Sequence, residues 1–169
     1  LNKFDIYLIF TAGPASRSKM LRWAEKSPVS HVGVEYYNKL FEERWLLEAN
    51  CFGVQTIPCE NIEYETYGRF RLKINGDEGL RAIKKLIGNR YDYRGAFLIL
   101  LTRLFKRIIK TKTESPRQSS SSYFCSELIA RFFSLINLPF TSSWNPKDIS
   151  PHDIYLYCLR HPETFEEIR

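Results

Sequence analysis

The sequence predicts an α+β fold, and three observations predict it. Segments dense in β-formers crowd the N-terminal half, and helical spacing takes over after Asn75-Gly76. From Ser30 onward the strand segments also follow one another too closely for crossover helices, which predicts an antiparallel meander.

Phe4-Asp-Ile-Tyr-Leu-Ile-Phe10 opens the chain as a buried strand, broken by Thr11-Ala-Gly-Pro14. Ser16 to Lys26 has helical spacing through Met20, Leu21 and Ala24, and Ser27-Pro28 ends it, because a residue before proline avoids helical backbone. Strands are predicted at Ser30 to Tyr37, Arg44 to Ala49 and Gly53 to Ile57. A further strand, Gly68 to Ile74, alternates polar and apolar residues as a half-buried strand does. Asp77 to Ile87 reads as an amphipathic helix stopped at Gly88, and Arg94 to Lys110 as a longer one. Thr111 to Ser122 is a Ser-rich loop, expected to be mobile. Tyr123 to Ile136 is a helix ended by Asn137 and Pro139. Asn145-Pro-Lys-Asp148 and Ser150-Pro-His-Asp153 each look like a helix start with proline at the first helical position.

The 169 residues suit one domain spanning 1–169, long enough to bury a core unaided. Hydrophobic residues at 44% and charged residues at 26% fit a soluble globular class. The apolar run Ala96-Phe-Leu-Ile-Leu-Leu101 is too short to span a bilayer. Leu1 is not an initiator methionine, so removal of a leader is compatible with the sequence and the compartment stays open.

The net charge is +6, and five cations without an acid sit in Arg103 to Lys112. Within 97–112 the apolar face beside cations suits either an ordinary core helix with a basic outer face or an interfacial helix on an anionic membrane surface. Nucleic-acid binding through the same run lacks any accompanying motif. The four cysteines (Cys51, Cys59, Cys125, Cys158) form no zinc-ligand spacing and no small-domain disulfide framework, so neither metal nor cofactor is expected.

Ser122-Tyr-Phe-Cys-Ser-Glu-Leu128 places Cys125 where a loop becomes a helix. Unpaired N–H groups and the helix dipole favour an anion there, and the thiolate is the nucleophilic form of cysteine. Such a cysteine needs a base. His161 precedes a proline in a surface-like stretch, and His152 lies in a helix start. His31 opens a strand, from which its ring can project towards a facing helix. Glu48 lies on the next strand among apolar neighbours, either outward-facing or paired. In an antiparallel sheet of matching register it would stand beside His31 and orient the imidazole.

Taken together, Ser30-His-Val-Gly-Val34, Leu47-Glu-Ala49 with Gly53-Val54, Gly88-Asn-Arg-Tyr-Asp92 and Tyr123-Phe-Cys-Ser-Glu-Leu128 resemble the circularly permuted NlpC/P60 group, the YiiX/YaeF-like papain-fold hydrolases. That group runs histidine, polar residue, cysteine, the order found here. Asp5-Ile6 and Ser150-Pro-His-Asp153 extend the likeness over residues 4 to 158. The resemblance implies a papain-like α+β core, with the nucleophile at the N-terminus of a helix packed on a small antiparallel sheet. It implies Cys125 as nucleophile, His31 as general base and Glu48 as orienting acid of a cysteine peptidase or amidase. Tyr91 matches the tyrosine of the Tyr-Asp motif and would line the site, help an oxyanion, or belong to the core. The substrate implied is a peptide or other amide, cell-wall peptides above all, in the cytoplasm or envelope of a bacterium. Lipid esters, a thiol acyltransferase reaction and a catalytically idle binding module stay open as alternatives.

Overall fold

The computed structural model describes residues 5–12, 16–62, 65–92, 122–138, 146 and 149–168. Along these residues run β1 (Ile6–Ala12), α1 (Ser16–Glu25), β2 (His31–Asn38), β3 (Glu43–Asn50), β4 (Gly53–Pro58) and β5 (Glu65–Leu72). They are followed by α2 (Asp77–Lys84), β6 (Arg90–Tyr91), β7 (Ser122–Tyr123), α3 (Cys125–Leu135), α4 (Pro151–Arg160) and β8 (Phe165–Ile168). The fold is α+β, with an antiparallel sheet and a few helices. The helix expected over 94–110, most of the loop expected over 111–122 and the helix start at 145–148 lie outside the described residues, apart from Pro146.

The meander expected from Ser30 onward is present from β2 to β4 and stops there. The sheet order is β4-β3-β2-β1-β5-β8, so β5 returns to pair with the far edge of β1. A reason is visible at the edge of β4. Val54 N donates to Asn89 O at 2.9 Å and Gly88 N donates to Val54 O at 2.8 Å, so the segment leading into β6 takes hydrogen bonds there. Strand β8, absent from the sequence reading, adds to β5. Its Phe165-Glu-Glu-Ile168 is too short and too acidic to signal a strand by composition.

One sheet face carries the core. Leu8 and Phe10 stand opposite Val34 and Val32, and Leu8 also opposite Phe70. Leu47, Ala49 and Val54 continue that buried cluster, which Leu128, Ile129, Phe132 and Phe133 of α3 share. Each such side chain, fully buried, contributes roughly 1.5–3 kcal/mol. Helix α4 adds Tyr155, edge-on to Phe10 at 5.3 Å and to Phe70 at 5.8 Å between ring centroids. Helices α2 and α3 meet at Gly79, where a Cβ would lie 2.6 Å from Ile136 and 2.8 Å from Phe132.

Helix ends show where sequence signals compete. Helix α1 closes before Pro28, with Lys26 left-handed at φ 50°, Ser27 N on Arg22 O and Lys26 N on Trp23 O. Helix α3 closes the same way through Asn137 at φ 53°. Helix α2 is shorter than its expected span to Ile87, because bonds from Lys85, Leu86 and Ile87 to carbonyls three residues back tighten its last turn. It begins behind Gly76 without a side-chain cap of its own, although Asn75 Oδ1 accepts from Asp77 N. Helix α4 starts as expected, with Pro151 in the first turn and a reciprocal cap between Ser150 and Asp153. Among the described residues no helix is long and apolar enough to cross a membrane.

Candidate active site

Cys125 is the first residue of α3, two positions later than the helix start expected at Tyr123. The difference arises because Ser122 and Tyr123 form β7, a short parallel pair with Arg90 and Tyr91 of β6. Phe124 then turns the chain with extended backbone, and Leu128 N makes a first-turn bond back to Phe124 O at 3.1 Å. Arg131, two turns on, donates to the Tyr123 hydroxyl at 3.0 Å and ties the lead-in strand to the helix. Ser126 is buried and donates to Ile149 O just ahead of α4.

His31 opens β2, as the sequence predicts, and the Cys125 side chain is hydrogen-bonded to its ring. The ring's Nε2 lies 2.6 Å from Glu48 Oε2. Nδ1 is therefore the nitrogen left to face the sulfur. The β2–β3 register runs from Asn38 opposite Glu43 to Val34 opposite Leu47. Continued to the strand end, it sets Asn50 opposite His31 and Glu48 on the diagonal, a span that two long side chains can bridge.

Glu48 has no exposed side-chain surface. A carboxylate in such a place is costly unless hydrogen-bonded and paired. It is both: besides His31, Asn50 Nδ2 donates to Oε1 at 2.5 Å and Gln55 Nε2 to the same oxygen at 3.2 Å. Burial acts to raise the Glu48 pKa. The hydrogen bond and charge of His31, then the Gln55 and Asn50 donors, outweigh it and hold the group below its ordinary range. For His31, burial acts to lower the pKa. The charge of Cys125 and its hydrogen bond, followed by those of Glu48, overcome that and raise it from 6.5 to about 10. Chemically the set is a cysteine sulfur beside an imidazole that holds its proton, with a carboxylate behind it. Cys125 keeps 7% exposure and the His31 side chain 18%, so this pair reaches the surface while the carboxylate does not.

Besides sharing the core, the sheet half and the helix half of this site meet at the turn after Asn50. Gly53, at φ 110°, follows the turn after Asn50, and a Cβ on it would lie 2.4 Å from Asn89 O. Only glycine suits that combination of positive φ and close approach. Asn89 leads directly into β6, which pairs with β7, which enters α3 at Cys125.

Tyr91 stands opposite Tyr123 in the β6–β7 pair and packs, partly buried, against the core. His152 lies within α4, and His161 stacks on Tyr157 with ring centroids 4.0 Å apart and pairs with Glu163 at 2.8 Å. All four cysteines are free. Burial pushes the Cys59 thiol up to about 12 and the Cys158 thiol well above its ordinary value, which disfavours their thiolates. The sequence reading missed Asn50 and Gln55. A two-residue turn at Cys51-Phe52 would have supplied them, since it pairs residue 48 with 55 and puts 50 on the same face as 48. Among the described residues, no group of three or more His, Cys, Asp or Glu side chains is placed to hold a metal ion. No protein-family model matches this chain, and no curated protein matches it.

Proposed function

We propose that this chain is a papain-like cysteine hydrolase of the circularly permuted NlpC/P60 type, cleaving an amide or ester through a thioacyl intermediate. The observation that carries the reading is Glu48: a fully buried carboxylate whose ionisable partner is a histidine already in contact with a helix-start cysteine. Two consecutive strands and a helix far along the chain supply the three groups, in the order histidine, acid, cysteine.

In the reaction, His31 holds the proton released by Cys125, and the sulfur attacks the carbonyl carbon. Negative charge moves to the carbonyl oxygen, where the Cys125 backbone N–H and a second donor receive it. His31 returns the proton to the leaving amine or alcohol as the carbon–nitrogen or carbon–oxygen bond breaks. Water then attacks the thioester with His31 as base, the acid departs and the thiol is restored. Glu48 accepts from Nε2 throughout and keeps Nδ1 turned to the sulfur.

Peptide-like amides are the first substrates to try. Phe52, 85% exposed at the turn after Asn50, is a specific reason to include lipid esters. The test compares wild type with Cys125→Ala on peptidoglycan fragments, acylated amines and lipid esters. The expected loss on the productive substrate is about 10³-fold or more. Hydrolysis retained by the alanine variant overturns the assignment. Tight binding without turnover by wild type favours the idle binding module.

A further inference from the structure

We propose that Asn50 is a positioning residue for the His31–Glu48 pair, clamping the carboxylate so that one oxygen is reserved for the imidazole. The inference rests on the proposed function and goes a step beyond it, to what holds the orienting acid.

The orientation of the Asn50 amide follows from chemistry. The Phe52 backbone N–H can only donate, and it meets Asn50 Oδ1 at 2.9 Å. The other end of the amide, Nδ2, must then be the one on Glu48 Oε1. Gln55 donates to that same oxygen from β4. Oε1 is thus occupied by two amides and Oε2 is left to His31 Nε2. The clamp is itself anchored: the turn carrying Phe52 runs into Gly53 and Val54, which is hydrogen-bonded to Asn89. Asparagine does two jobs here with two different atoms, shaping the turn by accepting and fixing the acid by donating. The charged groups acting on the pair are Cys125 of α3 on His31 and His31 on Glu48.

Aspartate at position 50 separates the two jobs. Asn50→Asp keeps an oxygen for Phe52 N but sets a second carboxylate oxygen against Glu48. Two carboxylates sharing a site cannot both ionise easily, so as pH falls the Glu48–His31 ion pair is lost sooner, at a higher pH than in wild type. In a Cys51→Ser background, which removes the exposed thiol, two quantities are followed against pH. One is the ¹⁵N signal of the His31 ring, which reports its protonation and tautomer. The other is the rate of Cys125 alkylation by iodoacetamide. For Asn50→Asp the acid limb of both profiles should move up by about one unit or more, with alkylation at the wild-type midpoint slowed by up to about 10-fold.

A turn residue with no further role would leave both profiles at wild type, and that result overturns the inference. Should the aspartate variant fail to fold, Asn50→Gly keeps a turn-compatible residue and removes the donor without adding charge. Above about pH 10, where the ring is neutral, His31 should then populate both tautomers, and an unchanged ring signal overturns the inference equally. The ring signal needs no substrate. Hydrolysis by Cys125→Ala would therefore sink the proposed function alone, and an unmoved His31 signal would sink the role of Asn50 alone.

Discussion

Two glutamates are buried on the same face of the sheet, and they are built in opposite ways. Glu35 is met by Arg44 Nη1 at 2.8 Å and by a two-pronged Arg69, Nε at 2.9 Å and Nη2 at 2.6 Å. Both guanidiniums lie over the Tyr7 ring, at 4.9 Å and 4.1 Å from its centroid. Glu48 instead meets one histidine and two neutral amides. Arginine keeps its charge at any pH the fold survives, so the Glu35 cluster is a fixed fastener between β2, β3 and β5. Histidine changes charge, so the Glu48 cluster can take part in a proton transfer. Burial of a carboxylate alone does not mark a site; the kind of partner does.

Removing the charge without the shape is the strongest way to break this contrast. Glu48→Gln should slow Cys125-dependent hydrolysis by about 10²-fold or more, with a smaller change in KM, because the amide no longer stabilises the imidazolium or enforces its tautomer. Kinetics at fixed pH on the substrate found by the screen check this. A variant at wild-type rate would leave Glu48 a packing residue.

Solution pH sharpens the contrast next. His31 titrates near 6.5 in an unfolded chain and near 10 in the folded one. Its contribution to stability is therefore full below about 6.5 and disappears as pH rises through about 10. Glu48, held low, contributes fully above about 4.5 and loses its contribution as pH falls through its lowered pKa. Urea midpoints of wild type against His31→Gln should converge between pH 7 and 10. Because the charge of Cys125 helps hold the His31 proton, Cys125→Ala should bring that convergence to lower pH.

The same contrast explains how much of the molecule was legible in its sequence. The first four strands announced themselves through β-branched and aromatic residues, and the breaks at Thr11-Ala-Gly-Pro14 and Ser27-Pro28 punctuated them. Cys125, His31 and Glu48 were each readable because a reactive or ionisable side chain stood at an element boundary or among apolar neighbours. Short strands were not readable: β6 and β7 have two residues each, too few for any periodicity. The return of β5 to β1 depends on which sheet edge is already occupied, a non-local matter that composition does not record. Asn50 and Gln55 escaped for a related reason, since neutral amides in a strand signal nothing until register puts them on a buried carboxylate.

The smallest effect should come from the other glutamate, and its smallness is informative. Glu35→Gln removes a carboxylate that is 5% exposed, but its partners reach water: Arg44 is 38% and Arg69 30% exposed. A fully buried pair loses about 3–5 kcal/mol when one member goes, and an exposed pair about 0–1. This cluster lies between, so about 1–2 kcal/mol is expected in urea unfolding. Arginine does not titrate between pH 5 and 10, so the loss should stay flat across the range in which the His31 contribution fades. The His31 ring signal and the Cys125 alkylation profile should match wild type, because the Glu35 cluster shares no hydrogen bond with the Glu48 cluster among the bonds described. A Glu35→Gln chain with altered alkylation would show that the two carboxylates act through the sheet as one network, and the division between fastener and site would fall.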